Sequence, residues 1–289
     1  MKKLSSICFG CEPLGGTDNG DVDLDEIKKA IYNALDLGVN FFDTAGVYGL
    51  GLSEERLSKI LGSRRHEVVI ATKGGLSWKE SSSVRSVIIK NSSPVAIRRD
   101  IESSLKRLRL DCLPIFFIHW PDNKIPIEDT FNELLKIQNE GKIKSIGCSN
   151  FSAQQLRAAC NISQVDYVQL PTNLLSGEID SEVSNICTKN KIKVIAYNIL
   201  ENGLLAGKLD KDTNFPKNDR RSRLPLFKGI EFINALNKVE ELKIKAVENN
   251  SNLLQYSINW VLMQKNIASV IIGIKNRKQI VENCFAILN

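Results

Sequence analysis

Six short apolar segments of this sequence are each followed at once by a polar side chain or a polar pair. Taken alone, each has a simple explanation, because an Asp after a strand usually caps a turn and a Lys there is usually solvated. Together they supply a carboxylate, an ammonium, an imidazole, amides and a phenol, which can orient a polar ligand and move protons. Their recurrence favours one shared site over six unrelated turns. The residues are Asp43, Lys73, His119, Ser149 with Asn150, Gln169 and Tyr197.

Motifs of other nucleotide-binding, hydrolytic and metal sites are missing from the sequence. The segment 49–54 comes closest to GxGxxG, but Glu54 takes the place of the third glycine, which excludes a Rossmann-type phosphate loop. There is no P-loop, no HExxH and no GxSxG. Cys8 and Cys11 form a CxxC without a second pair or a nearby His, so no zinc site is predicted.

The apolar segments themselves predict strands that are buried on both faces. They are rich in Val, Ile and Phe and do not alternate strictly with polar residues, as is typical of parallel sheets. The eight segments are Ser6–Phe9, Val39–Phe42, Val68–Ala71, Pro114–Ile118, Ile143–Gly147, Val165–Val168, Ile192–Ala196 and Ala268–Ile272.

Amphipathic stretches with helix-capping residues lie between these segments. Asp23 opens one that closes at Gly38, and Ser93 with Pro94 opens another. A third is marked by apolar residues at helical spacing from Phe131. Alternating strands and helices without a linker predict a single (β/α)₈ TIM barrel over residues 1–289, with a doubly wound open sheet as the alternative. In a barrel the six polar groups would all lie on the rim at the carboxyl ends of the strands.

Two stretches, Gly74–Ser92 and Glu201–Gly229, are longer than ordinary connections in a barrel. Loops of this length usually cover or shape a site, so both are predicted to border the polar rim.

Composition and charge narrow the class of protein. The chain has 289 residues, 43% of them hydrophobic, and its 39 basic residues exceed its 33 acidic residues by six without forming a block. We therefore expect no nucleic-acid partner. No segment reaches the ~18 apolar residues of a membrane span, and the seven scattered cysteines are typical of reduced thiols. A cytoplasmic protein without a membrane contact is predicted.

Nearly the whole chain resembles the aldo-keto reductase family. Four segments are similar to the family's signatures around the rim, and two more to its pyrophosphate loop and its adenine-end motif. The six are Gly38–Gly49 with Ser53–Glu55, Ala71–Gly75, Ile118–Asp122, Gly141–Phe151, Gly203–Lys208 and Gly273–Asn283. The family binds NADPH on a barrel rim without a Rossmann domain, in agreement with the missing glycine motif.

The resemblance implies a catalytic tetrad and a set of cofactor contacts. The tetrad would be Tyr48, Lys73, Asp43 and His119. The implied contacts to NADPH are Asp43, Ser149, Asn150, Gln169, Tyr197 stacked on the nicotinamide, Leu200, Gly203, Leu205, Lys275, Asn276, Gln279 and Asn283. The chain departs from the family at two places. Tyr197 is followed by Asn-Ile-Leu, where the family commonly has Ser-Pro-Leu, and Thr172 occupies a position at which the family often has a Tyr.

These residue types fit the reduction of a carbonyl group, in which the cofactor supplies the hydride and the protein a proton. A Tyr is a weak acid unless its phenolate is stabilised, which Lys73 would do while Asp43 keeps Lys73 charged. His119 would donate to the same carbonyl oxygen. Lys275 and Arg277 favour NADPH over NADH, because cations attract a 2′-phosphate. No metal is expected.

Other functions remain open from the sequence. A non-catalytic NADPH-binding barrel that senses redox state and a dehydrogenase acting on a sugar or alcohol would carry the same tetrad. The substrate is expected to be a small carbonyl compound or sugar, with Trp78, Trp120, Glu12 and the segment 15–18 as candidate pocket walls. Oligomeric state is not predicted.

Overall fold

The computed structural model describes residues 2–79 and 87–287 of the chain. Its strands are β1 (Ile7–Gly10), β2 (Phe41–Asp43), β3 (Val69–Gly74), β4 (Leu76–Lys79), β5 (Val87–Lys90), β6 (Leu113–Ile118), β7 (Ile143–Ser149), β8 (Tyr167–Pro171), β9 (Lys193–Tyr197) and β10 (Ile267–Gly273). Its α-helices are α1 (Leu24–Asp36), α2 (Leu52–Leu61), α3 (Pro94–Leu108), α4 (Ile127–Asn139), α5 (Ala153–Ile162), α6 (Ser181–Asn190), α7 (Gly229–Glu248), α8 (Leu253–Leu262) and α9 (Arg277–Phe285).

Eight parallel strands close into a barrel in the order β1-β10-β9-β8-β7-β6-β3-β2. Each of the eight predicted apolar segments overlaps one of these strands. The (β/α)₈ barrel predicted from the sequence is therefore confirmed, and the open doubly wound sheet is wrong.

Capping residues start the helices where the sequence predicts. The Asp23 carboxylate accepts the backbone N–H groups of Asp25 and Glu26 at the start of α1. At the start of α3, the Ser93 hydroxyl accepts the N–H of Ala96, and Pro94 occupies the first turn. These bonds satisfy N–H groups that have no partner inside a helix, so each helix begins at a fixed point relative to the preceding strand.

Apolar residues fill two layers around the strands. One cluster, which includes Phe41, Ile115 and Phe117, lies on one face of the strands. A larger cluster joins the alternate strand residues, such as Phe42 and Phe116, to the surrounding helices. Because successive side chains of a strand point to opposite faces, both layers leave the strand ends free for polar residues.

The segment Gly74–Ser92 is not a plain loop. It contains a two-stranded antiparallel sheet in which β4 pairs with β5, and Trp78 faces Ile88. The residues of β5 are exposed, so no burial pattern marked this hairpin in the sequence. Residues 80–86 of the segment lie outside the described part of the chain.

Helices that could cross a membrane are not found among the described residues. All seven cysteines lie in the described ranges, and each is a free thiol.

Candidate active site

A cavity of about 620 Å³ opens at the carboxyl ends of the barrel strands. All six polar groups that follow the apolar segments line it, together with Tyr48. Asp43 ends β2, Ser149 ends β7 and Tyr197 ends β9, while His119 directly follows β6. Barrel closure therefore brings together side chains that lie far apart in the sequence, as predicted.

Lys73 is the centre of a compact cluster with Asp43 and Tyr48. Its Nζ donates to Asp43 Oδ1 at 2.5 Å, to the backbone oxygen of Thr44 at 3.0 Å and to Tyr48 Oη at 3.4 Å. The Lys73 and Asp43 side chains are 3% and 4% exposed, so water does not screen this ion pair as it would at the surface. The arrangement places an ammonium between a carboxylate and a phenol.

Tyr48 reaches Lys73 from a tight turn rather than from a strand end. The turn spans Tyr48–Gly51, and Gly49 and Leu50 both have positive φ. A Cβ at Gly49 would lie only 2.2 Å from the backbone oxygen of Gly15, so only glycine allows the turn to pack against the loop after β1. This contact fixes where the phenol enters the cavity.

Hydrogen bonds between α2 and the strand ends hold the base of the same turn. Ser53, near the start of α2, donates to the backbone oxygen of Cys11 at 2.7 Å, and its hydroxyl lies 2.8 Å from that of Thr44. These groups are buried. They tie β1, β2 and α2 together beneath Tyr48.

The charge states of the cluster follow from burial and from its neighbours. Burial raises the pKa of Tyr48, Lys73 opposes this shift, and Glu12 and Asp43 add to it. Burial disfavours the Lys73 ammonium, but Asp43 and Tyr48 outweigh this effect and raise the pKa of Lys73. At neutral pH the cluster therefore holds a neutral phenol beside a charged ammonium.

His119 is a neutral imidazole beside this cluster. Burial and then the Lys73 charge lower its pKa well below the usual value. Its ring meets the Tyr48 ring edge to face, with the centroids 5.8 Å apart. Among the described residues, His119 Nδ1 is one of three buried side-chain polar atoms without a hydrogen-bond partner. A proton on Nε2 leaves Nδ1 as a bare acceptor and gives the cavity an N–H donor.

Amide and hydroxyl groups form the wall opposite Tyr48. Gln169 Nε2 donates to Asp43 Oδ2 at 2.6 Å, so both carboxylate oxygens of Asp43 are occupied. Tyr197 Oη donates to Asn150 Oδ1 at 2.6 Å, while Asn150 Nδ2 donates to Ser149 Oγ and to the backbone oxygen of His119. These bonds join the side chains of the wall into a network at the edge of the cavity.

The cavity continues as a groove toward the start of α9. Of the residues that the resemblance implies for a cofactor, those that line the cavity are Asp43, Ser149, Asn150, Gln169, Tyr197, Leu200, Gly203, Lys275, Gln279 and Asn283. Leu205 is fully buried, and Asn276 caps α9 by accepting the N–H of Gln279. Neither lines the cavity, and their contacts with a cofactor stay predictions.

Sequence reasoning did not single out the arginines that cross this groove. Arg220 pairs with Glu12 across the opening and donates its backbone N–H to the oxygen of Asp18. Lys275 Nζ donates to the backbone oxygen of Asn19 at 2.5 Å. Both arginines of the Asp219-Arg220-Arg221 segment line the cavity. The one available signal was the length of the segment Glu201–Gly229, which was predicted to border the site.

Some of the residues predicted to line the substrate pocket line the cavity, and others do not. Trp120 and Glu12 line the cavity, as does Asp18. Trp120 is 40% exposed, and Lys90 Nζ lies 5.3 Å from the centre of its ring. Trp78 belongs to the β4–β5 hairpin and is not among the lining residues. Trp120 is therefore the better candidate for a substrate contact.

Comparisons with known proteins agree with this geometry. The family model described as "Aldo/keto reductase family" matches residues 6–289. The aldo-keto reductase YhdN of Bacillus subtilis (strain 168) is 32% identical over 91% of this chain and 78% of its own length. An NADH-specific methylglyoxal reductase of Escherichia coli (strain K12) is 29% identical over 98% of this chain and 90% of its own. The solved structure of the glycerol dehydrogenase AKR11B4 from Gluconobacter oxydans superposes with a TM-score of 0.88 and 34% identity, covering 98% of this chain and 86% of that one.

Proposed function

We propose that this chain, which belongs to the aldo/keto reductase family, is an NADP(H)-dependent oxidoreductase that interconverts an aldehyde or ketone and the matching alcohol. Tyr48 acts as the general acid in reduction and as the general base in oxidation. The observation that carries the proposal is the 3.4 Å approach of Lys73 Nζ to Tyr48 Oη, with Asp43 on the other side of the ammonium.

The groove suits a dinucleotide in shape, and cations lie along its outer part. It runs from the Tyr48 cluster to Lys275 and Gln279, and Arg220 and Arg221 border it. Cations along a groove attract a pyrophosphate, and the amides of Asn150 and Gln169 can pair with a carboxamide. A nicotinamide bound here would supply the hydride. The residues present therefore fit the proposed cofactor.

Proton transfer is the task of Tyr48 and its neighbours. Because burial keeps its pKa high, Tyr48 holds its proton at neutral pH until a carbonyl oxygen gains negative charge. Lys73 then stabilises the phenolate that remains, and Asp43 keeps the ammonium charged and in place. Neutral His119 donates from Nε2 to the same oxygen, which stabilises the developing charge before the proton moves.

The direction of the reaction follows from the cofactor ratio rather than from this cluster. The reverse reaction needs the Tyr48 phenolate as a base, which Lys73 stabilises equally. A relative of 34% identity is a glycerol dehydrogenase, so a hydroxylated substrate oxidised by the chain is the second candidate. We also propose a cytoplasmic location, because seven free thiols are typical of a reducing compartment.

The Tyr48→Phe variant tests the proposal. It removes only the hydroxyl, so we expect unchanged NADPH binding and a loss of turnover of about 10²-fold or more, the usual lower range for a general acid. Absorbance at the reduced nicotinamide band, followed with aldehydes, ketones and polyols, measures the rate. Tyr32→Phe is the matched control, since Tyr32 is 39% exposed and donates its hydroxyl to the backbone oxygen of Ile60. A Tyr48→Phe rate equal to that of the control would remove Tyr48 from the mechanism.

A further inference from the structure

An ion pair between a buried carboxylate and a partly buried guanidinium lies outside the barrel, behind Tyr48 and Lys73. Glu54 of α2 is fully buried, and its Oε2 accepts Nε of Arg107 at 2.5 Å. Its Oε1 accepts the hydroxyl of Thr72 at 2.5 Å. The two oxygens of one carboxylate therefore bind one group from α3 and one from β3.

The Thr72 bond acts on the strand that carries Lys73. Thr72 directly precedes Lys73, so the two side chains point to opposite faces of β3. Lys73 enters the cavity, whereas Thr72 points outward to α2 and is fully buried there. A bond from Glu54 to Thr72 thus fixes the backbone of β3 at the residue before the ammonium-bearing side chain.

The Arg107 side chain acts on the segment that carries Tyr48. A Cβ at Gly51 would lie 2.8 Å from Arg107 Cδ, and a Cβ at Gly46 would lie 3.3 Å from its Nη2. Arg107 therefore lies against two glycines, one on each side of Tyr48 in the sequence. Because neither glycine has a side chain, the arginine packs directly on the backbone of the Tyr48 turn.

We infer that Glu54 and Arg107 are a positioning pair that sets the separation of Tyr48 Oη from Lys73 Nζ by clamping the Tyr48 turn and strand β3 to the same carboxylate. The inference rests on the proposed function, in which that separation governs proton transfer. Neither residue lines the cavity, so each acts through Tyr48 and Lys73.

A role in stability alone does not explain why the Glu54–Arg107 pair contacts both the Tyr48 turn and strand β3. Burying a carboxylate costs free energy that its ion pair often fails to recover, so a buried pair is weak support for stability alone. The partners of Glu54, however, are the two segments that must keep their relative position for proton transfer. A misplacement of about 1 Å far from the chemistry can cost about 10²-fold in rate, which gives the pair a function that an apolar contact would not provide.

The Glu54→Gln variant tests the inference. It keeps the shape of the side chain and removes the charge that holds Arg107. We expect kcat to fall by about 10- to 100-fold, with KM and NADPH affinity nearly unchanged, since the cavity lining is intact. Glu133→Gln is the matched control, because Glu133 accepts Nε of Arg98 at 2.7 Å, is also nearly buried, and bonds the same helix α3 far from Tyr48.

The pH profile separates positioning from loss of stability. The groups that face Tyr48 are Lys73, Asp43, Glu12 and His119. Lys73 lowers the pKa of Tyr48, so a larger separation raises that pKa. The pKa of Tyr48, above which the reductive kcat falls and the oxidative kcat reaches its plateau, is therefore expected to move upward in the Glu54→Gln enzyme, whereas that of Glu133→Gln stays at the wild-type value.

A crystal structure provides a readout that needs no turnover. In Glu54→Gln, the distance from Tyr48 Oη to Lys73 Nζ is expected to exceed the 3.4 Å of the wild type. If the Glu54→Gln protein does not fold, the Thr72→Val variant replaces it, since it removes one hydrogen bond of the same carboxylate. In this variant too, the distance from Tyr48 Oη to Lys73 Nζ is expected to increase and the pKa of Tyr48 in the kcat profile to rise. An unchanged distance together with an unchanged kcat profile would overturn the inference.

The two proposals fail in different ways. If the wild type turns over no substrate, the proposed function fails, and the distance in the variant still decides whether Glu54 positions Tyr48. If Tyr48→Phe is inactive while Glu54→Gln keeps the wild-type rate, pH profile and distance, the function stands and the positioning role is wrong.

Discussion

At the scale of single residues, Lys73 and His119 are both buried, but the pKa of Lys73 is raised and that of His119 is lowered. Lys73 stays charged because the Asp43 carboxylate offsets the cost of burial and raises its pKa. His119 has no such partner, and both burial and the Lys73 charge lower its pKa. One cavity wall can therefore present a permanent cation and a neutral hydrogen-bond donor side by side, which is the pair of groups that a carbonyl oxygen requires as it gains charge.

His119 also predicts how stability depends on pH. Its pKa in the folded chain lies below that of the unfolded chain, so the unfolded chain binds a proton first as the pH falls. The contribution of His119 to stability is complete above about pH 6.5 and decreases below it by up to about 1.4 kcal/mol per pH unit. Urea unfolding of the wild type and of His119→Asn, measured from pH 7.5 to pH 5.5, gives the free energy of unfolding of each protein. The wild type is expected to lose more stability than the variant below pH 6.5.

The second histidine of the chain is the control for this measurement. His66 is exposed, and His66→Asn is expected to follow the wild-type pH dependence. If His119→Asn loses stability below pH 6.5 as steeply as the wild type, a neutral His119 is not required for folding.

The sequence pattern predicts which polar residues at strand ends lie on the rim, but it does not predict the positions of Tyr48 and Glu54. Asp43, Lys73 and His119 follow apolar segments, so their position on the rim follows from barrel closure alone. Tyr48 lies in an irregular turn, and only the resemblance to a family identified it. Glu54 interrupts a glycine pattern and lies in a segment that is similar to a family signature, but neither observation indicates what it contacts. Its pairing with Arg107, which is 53 residues away, depends on how two helices pack and leaves no local pattern.

At the scale of elements, the loop between β9 and α7 crosses the groove and bonds the loop after β1. Arg223 pairs with Asp18 at 2.7 Å, and Gly20 donates its N–H to the backbone oxygen of Asn218. Arg220 pairs with Glu12 above the cavity. Because Glu12 and Arg220 both line the groove in which the cofactor is proposed to lie, we expect their contact to open when a dinucleotide enters or leaves.

Loss of the Glu12–Arg220 pair is therefore expected to speed cofactor release. Both side chains are about one-third exposed, so water screens the pair and its contribution is modest. We expect Arg220→Met to raise the dissociation rate of NADPH by about two- to fivefold, as a loss of about 0.5–1 kcal/mol implies. Stopped-flow fluorescence of bound NADPH measures this rate.

An exposed ion pair elsewhere provides the comparison. Arg157 and Glu182 form a pair at 2.7 Å between α5 and α6, away from the groove. Arg157→Met is expected to leave the rate of NADPH release unchanged. Equal release rates in the Arg220→Met and Arg157→Met variants would show that the crossing loop does not limit release.

Elements differed in how well the sequence predicted them. The eight barrel strands are buried at their centres and carry a continuous apolar pattern, so the sequence predicts each of them to within a few residues. The sequence does not predict the β4–β5 hairpin, because these strands form a separate two-stranded sheet among the described residues and β5 is exposed. The short turn of the crossing loop at Arg220–Ser222 bonds Asp18, which lies 202 residues earlier, and the turn at Pro225–Phe227 packs against Phe215 and Phe232.

At the scale of the whole molecule, the charges around the groove balance, because five basic and five acidic residues line the cavity. The net charge is +6, and Arg220, Arg221 and Lys275 border the cavity. The Lys275 ammonium is already bonded to the backbone of Asn19. Arg277, at the exposed start of α9, is the other of the two cations that are predicted to select a 2′-phosphate.

Cofactor choice can be measured as a shift in thermal stability of the whole chain. A ligand at 100 times its Kd adds about 2.7 kcal/mol. For 289 residues, at about 2.1 cal/mol/K per residue, this raises Tm by about 4 °C. If NADPH is preferred, NADH at the same concentration raises Tm by less. Arg277→Met is expected to weaken NADPH binding by about tenfold, the loss of one charge-assisted hydrogen bond, and to leave the NADH shift unchanged.

Lys278→Met is the matched control for this variant. Lys278 neighbours Arg277 at the start of α9, and its side chain is 80% exposed, so it should not alter either shift. Equal shifts with NADH and NADPH in the wild type would contradict the preference, and one relative is NADH-specific.

A large NADPH shift in a protein that oxidises NADPH with no carbonyl compound would instead favour the redox-sensing barrel, since binding and turnover are separate properties of the same groove.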